Sequence, residues 1–270
     1  LRPISAGNNG WQIFITTPRG KNHAHTTYQG ARSDPDAFAQ ILTAVDTGQY
    51  DAEKLIKLRA EYVRDFGEAM GNALFDQEFM CSFEAPVLGA VYAKEIREAA
   101  QRIMRVPYDP TKPVHLFWDL GRADKTAIWF AQLGPFEYRV IDYVEGTGKH
   151  IGEYAGELQA KHYVYGDCWL PHDANNELLA SQRTVAQQLR DAGFKTRTVP
   201  KTSIDTRIEA ARLMFPLIYF DEHRCALGID ALTNYRYNVD EETKEFSDEP
   251  LHDWASHAAD AFGYMAVALK

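Results

Sequence analysis

The stretch His115-Leu116-Phe117-Trp118-Asp119-Leu120-Gly121 decides the fold. Aromatic and apolar residues end on a carboxylate, and a glycine then allows a sharp turn. The pattern therefore predicts a buried strand with Asp119 exposed at its end. Residues 126–131 (Thr-Ala-Ile-Trp-Phe-Ala) and 138–143 (Tyr-Arg-Val-Ile-Asp-Tyr) follow as two further strands with a Gly-containing turn between them, which predicts an antiparallel three-strand meander. Residues 151–160 read as a helix and residues 163–170 as a strand closing in the turn Pro171-His172-Asp173. A crossover helix between strands implies parallel pairing. Two more helical patterns, 185–192 and 204–213, flank a strand-like segment at 195–199, and a short strand at 217–220 and a helix at about 254–268 complete the chain. A meander followed by alternating helix and strand describes an α/β domain with one mixed sheet flanked by helices.

Upstream, the apolar run Trp11-Gln12-Ile13-Phe14-Ile15-Thr16-Thr17 reads as a buried strand ended by Pro18-Arg19-Gly20, without a local partner. Between residues 51 and 80, Leu55, Leu58, Tyr62 and Phe66 recur at helical spacing among charges, predicting one or two amphipathic helices. Residues 79–92 cross over to the α/β domain. With 270 residues, 45% of them hydrophobic, the chain is long enough for a substantial core. The net charge of −9 argues against a uniformly basic nucleic-acid binder, but cation-binding carboxylates would contribute to that acidity. Cys81, Cys168 and Cys225 lie far apart, suggesting neither a disulfide framework nor a zinc site and fitting a reducing cytoplasm. No apolar run approaches the ~20 residues of a membrane span. The start Leu1-Arg2-Pro3 gives the chain the look of an excised fragment.

Three separated aspartates carry the chemistry. Asp119 ends the first strand, and Asp173 repeats that situation at the end of the parallel strand, where open α/β sheets tend to bind ligands. In the last helix Asp253, His257, Asp260 and Tyr264 share one face of an Ala-rich, otherwise apolar helix. Packing that stripe on a sheet would bury charge, which calls for compensation by metal or hydrogen bonds. Oxygen-only donors suit hard cations such as Mg²⁺ or Mn²⁺, and two such ions about 3.5–4 Å apart can promote hydrolysis of a phosphodiester. Asp142, Glu145 and Asp167 read instead as solvated residues near strand ends.

These residues resemble a known family. The runs Trp118-Asp119-Leu120-Gly121-Arg122-Ala123-Asp124-Lys125-Thr126-Ala127, Leu170-Pro171-His172-Asp173-Ala174 and His257-Ala258-Ala259-Asp260-Ala261-Phe262-Gly263-Tyr264 look like the nuclease domain of tailed-phage terminase large subunits. Upstream, Phe75-Asp76-Gln77-Glu78-Phe79-Met80-Cys81-Ser82-Phe83 is similar to the family's interdomain segment, and Ile13-Phe14-Ile15-Thr16-Thr17-Pro18 to its ATPase coupling strand. The resemblance implies residues 1–83 as the end of an ATPase domain with a helical linker, and residues 84–270 as a ribonuclease H-like nuclease. No G-x-x-x-x-G-K-[ST] phosphate loop occurs, so this chain is not expected to hydrolyse ATP.

By position, Asp119, Asp173 and Asp260 match the family's acidic triad. The implied reaction is two-metal hydrolysis of double-stranded DNA, with Asp119 bridging the ions and Asp173 and Asp260 completing the separate sites. Asp124 and His257 are candidates to support those ligands, and Lys201 and Arg207 candidates to touch the DNA backbone. The implied partners are DNA and, for the parent protein, the portal, the small terminase subunit and ATP, in the host cytoplasm and away from membranes. Two other readings stay open: a resolvase- or transposase-like nuclease, and a non-catalytic module that docks DNA or the portal.

Overall fold

The structure is a computed structural model and describes residues 11–18, 23–83, 87, 89–121, 125–175, 183–239 and 246–270. The chain divides into two compact units, Leu1–Val87 and Leu88–Lys270. The first is helical, with α1 (His23–Ser33), α2 (Ala44–Thr47), α3 (Ala52–Phe66) and α4 (Glu68–Phe79). The side chain of Asp51 accepts from the Lys54 backbone N–H and starts α3, as a capping carboxylate does. α3 and α4 pair through Tyr62, Phe75 and Phe79, while Arg59 lies 4.2 Å from the Phe75 ring centre and bonds Asp76 at 2.6 Å. This is the amphipathic arrangement expected from the sequence. The strand expected at 11–17 does not form: these residues carry no regular structure, and Trp11 and Ile15 are 80% and 92% exposed. Among the described residues they belong to neither sheet, and an extended segment outside a sheet has no ladder to join.

The second unit contains, in order, α5 (Ala93–Glu98), β1 (Ile103–Met104), β2 (Val114–Asp119), β3 (Lys125–Leu133), β4 (Tyr138–Thr147), α6 (Ile151–Ala160), β5 (Tyr165–Leu170), α7 (Val185–Asp191), β6 (Lys195–Thr198), α8 (Ile204–Met214), β7 (Ile218–Asp221), α9 (Ala226–Asn234), β8 (Tyr237–Val239), β9 (Phe246–Pro250) and α10 (Ser256–Ala268). Seven strands form one sheet in the order β1-β7-β4-β3-β2-β5-β6, and β8 pairs with β9. β3 runs antiparallel to both β2 and β4. The pairs β2–β5, β5–β6, β4–β7 and β7–β1 are parallel. The meander, the parallel return and the flanking helices are therefore as the sequence indicates. β1, the β8–β9 ribbon, α1, α2, α5 and α9 have no counterpart in that reading.

Alternation along the strands splits the core in two. Trp118, Ile128, Phe130 and Ile141 face α6 and α7, and Phe117, Trp129, Tyr143 and Phe220 face α8, α9 and α10. Trp129 anchors the second layer: it is fully buried, and its indole N–H donates to the Ala258 carbonyl of α10 at 2.8 Å. α9 approaches so closely that a Cβ at Gly228 would lie 2.3 Å from the Trp129 ring, so only glycine fits there.

Three acids read as solvated are corrected by the fold. Asp142 is buried within β4 and accepts from Lys161 at 2.6 Å and from the Tyr163 hydroxyl at 3.2 Å. Asp167 lies within β5 and is held by Lys195 and Arg197. Glu145 lies within β4, bonded by Lys125 at 2.7 Å and by the Tyr143 hydroxyl at 2.9 Å. Each stands inside a strand rather than in a turn, with a cation from a neighbouring element over it.

Candidate active site

The end of β2 meets α10. Asp119 Oδ2 lies 3.0 Å from His257 Nδ1, and their side chains are only 15% and 10% exposed. One turn along α10, Asp260 Oδ1 accepts from Arg207 Nη2 of α8 at 2.8 Å. α8 begins at Ser203, whose side chain accepts from the Thr206 backbone N–H. That cap sets the register that presents Arg207 to α10, where a Cβ at Gly263 would come 2.8 Å from the Arg207 Cβ. Asp173 sits in the 3₁₀ turn His172–Asn175 that follows β5, at the same end of the sheet.

Charge ties the three carboxylates to one neighbourhood. The Tyr264 phenol is pushed up to about 12, first by burial and then by Asp119, Asp260 and Asp173, against the pull of Arg207. Burial also holds the Asp119 carboxyl above the usual carboxylate range, with Asp260 adding to it and the His257 hydrogen bond opposing it. Burial does the same to Asp260, against Arg207 and His257. The attraction of Arg207 therefore does not fully offset the desolvation, as is common for buried ion pairs.

Of the expected residues, Asp119, His257, Asp260 and Arg207 converge, and Asp173 stands beside them. Asp124 lies outside the described residues. Lys201 is exposed in the loop before α8. Asp253 precedes α10 and leaves the polar stripe, bonding Arg236 at 3.2 Å and accepting from the Ala255 backbone N–H. Arg207, read as a DNA contact, gives its guanidinium to Asp260 and to the Thr202 carbonyl. Sequence reasoning missed the relation of Glu145 to the site. Asp119 pairs with Ala127, and Ala127 pairs with Glu145, so the two acids face each other across a floor of one methyl group. Strand parity through the meander carried that signal.

Donor chemistry here suits a hard divalent cation: the acids offer oxygen only, and two of them are desolvated beyond what their partners repay. The arrangement is not a finished cage. Among the described residues no group of three or more His, Cys, Asp or Glu side chains is gathered closely enough to hold a metal ion.

A mixed sheet in which one antiparallel strand lies between parallel ones, with carboxylates at the end of β2 and on the last helix, is a ribonuclease H-like fold. Comparison with solved structures places its likeness among phage terminases. The large terminase of a thermophilic bacteriophage aligns at a TM-score of 0.52 and 14% identity, over 98% of this chain and 66% of that one. A second crystal form of the same terminase gives 0.52, 15%, 94% and 60%. The chain thus spans less than two-thirds of the length of those proteins. More loosely, at a TM-score of 0.45 and 15% identity, 56% of this chain aligns with 84% of the large terminase nuclease domain of bacteriophage SPP1, solved with bound Mn. No protein-family model matches the chain, and no curated protein matches it.

Proposed function

We propose that residues 84–270 are the metal-dependent endonuclease domain of a viral genome-packaging terminase, acting on concatemeric double-stranded DNA. The observation that carries this reading is that Asp119 bonds His257 of the last helix, with Asp260 one turn further along that helix and Asp173 in the same electrostatic neighbourhood, at one end of a ribonuclease H-like sheet. In this reading Asp119, Asp173 and Asp260 hold two divalent cations, Mg²⁺ or Mn²⁺. Such ions polarise a phosphoryl oxygen and lower the pKa of water. The chain's own residues shape the pocket. His257 fixes the Asp119 carboxylate, and exposed Lys201 offers a cation to the DNA backbone, where a positioned charge suffices. Residues 1–83 are the closing segment of an ATPase domain with its linker, and the parent protein meets ATP, the portal and the small terminase subunit in the host cytoplasm. Among the described residues no helix is long and apolar enough to cross a membrane.

One observation favours a second reading. The carboxylates are not drawn into a three-donor cluster among the described residues, which suits a non-catalytic module that docks DNA or the portal. Cleavage of supercoiled plasmid by the purified chain with Mg²⁺, Mn²⁺ or EDTA separates the two. Metal-dependent nicking that disappears in Asp119→Asn and Asp260→Asn is the expected result. Cutting that survives either substitution would overturn the assignment of that residue, and no cutting with any metal would favour docking.

A further inference from the structure

We infer that Arg207 is a built-in counter-cation for Asp260, occupying that carboxylate in the metal-free chain and setting how tightly the site takes up a divalent cation. This rests on the reading of Asp260 as a cation ligand. The guanidinium is enclosed rather than offered to solvent. Its side chain is 12% exposed, Nη2 donates to Asp260 Oδ1 at 2.8 Å, Nη1 donates to the Thr202 carbonyl at 3.2 Å, and its Cζ lies 4.9 Å from the Tyr264 ring centre. The Gly263 backbone of α10 leaves the slot that its stem fills. A DNA phosphate has no approach to a guanidinium held in this way, whereas Asp260 does.

The physical requirement is plain. Asp260 is mostly desolvated, and an ionised carboxylate in such a place needs a positive partner in every state of the protein. Before a metal arrives, that partner is Arg207, which stays charged at any working pH. A divalent cation reaching Asp260 meets a like charge already within hydrogen-bond distance, so uptake has to outcompete or displace the guanidinium. Displacement inside the slot is eased because the Arg207 Nε is buried without an acceptor among the described residues. The guanidinium thus holds a donor that a shifted position can satisfy. Asp119 differs, because its partner is the imidazole of His257 rather than a guanidinium.

Calorimetric titration of the full chain with MnCl₂, beside thermal melts in EDTA and in Mn²⁺, tests this on Arg207→Met and Arg207→Lys. Arg207→Met is expected to bind Mn²⁺ roughly 10- to 100-fold more tightly, the equivalent of one charge-assisted hydrogen bond no longer given up. It should also melt lower than the parent in EDTA and gain more from Mn²⁺. Arg207→Lys keeps a charge but not the planar fork, so it should move in the same direction by less and keeps the test open if the methionine variant does not fold. Binding by the variant alone supports the inference. Equal affinity in parent and variants overturns it while leaving the metal site standing. Weaker binding in the variants overturns it by making Arg207 a positioner of Asp260. No binding by any of the three overturns both it and the metal reading.

Discussion

Two substitutions of like chemistry, Asp119→Asn and Asp260→Asn, should change metal-free stability in opposite directions. In each case the carboxylate is largely withdrawn from water. At Asp119 the amide oxygen of Asn can still accept from His257 Nδ1–H, so the bond between the two side chains survives the substitution. Removing a desolvated charge there is expected to stabilise the fold by about 1 kcal/mol, the low end for replacing buried ionic groups. At Asp260 the substitution strands a guanidinium that is always charged, which costs about 3–5 kcal/mol for a buried pair broken from one side. Since Asp260 is 23% exposed, water screens part of this and the lower bound of about 3 kcal/mol is appropriate. For a domain of this size 1 kcal/mol moves Tm by about 2–4 °C. Melting in EDTA at neutral pH should thus rise by about 2–4 °C for Asp119→Asn and fall by about 6–12 °C for Asp260→Asn. The sign also sets a pH dependence. Burial lifts the Asp119 carboxyl above its unfolded value, so its ionisation subtracts stability as pH rises through the window from the unfolded to the folded pKa. The gain in Asp119→Asn should therefore shrink towards zero as pH drops below that window. A lower Tm for Asp119→Asn at neutral pH would refute the account of desolvation, and an unchanged Tm for Asp260→Asn would refute the role of Arg207 as a charge that needs it.

Three other outcomes follow from the same geometry. His257→Ala should reduce Mn²⁺-dependent plasmid nicking by about 10–100-fold through loss of the group that orients Asp119, with initial rates as the measure and an unaltered rate as the contrary result. Gly228→Ala drives a Cβ into the Trp129 ring and should destabilise by about 1–3 kcal/mol through overpacking, seen as a lower urea midpoint; no change would mean that α9 moves freely. Asp221 is pushed up by burial, but backbone N–H groups of Arg224, Val106 and His223 outweigh that and hold it below its usual value. Its contribution is therefore complete above the unfolded carboxylate value and lost as pH falls through the lower folded one, so Asp221→Asn should flatten the acid limb of a Tm-versus-pH curve, and an unchanged limb would contradict it.

Much of the sheet was legible because the meander is long, strongly patterned and joined by short turns. β2 to β5 follow from alternation and a crossover helix alone, and Asp119, Asp173 and Asp260 stand out as acids in apolar surroundings. What escaped the sequence has physical reasons. β1 spans Ile103–Met104, too short to show any period. β8 and β9 each bring few residues to their ribbon. The Asp260–Arg207 pair joins positions 53 apart and exists only because α8 crosses α10 at Gly263, which no local pattern encodes. Residues 11–17 failed in the other direction: apolar, β-prone side chains mark a strand only where another strand is present to receive it.

The link between Asp119 and His257 joins residues separated by 138 positions. The first strand of the meander is therefore made long before the helix that meets its end. A nascent chain carrying everything up to β9 already holds Asp119 and Asp173 but neither Asp260 nor the imidazole that steadies Asp119. On the proposed reading such a chain still lacks two of the groups its site needs, so the order of synthesis postpones the site until the last helix is made.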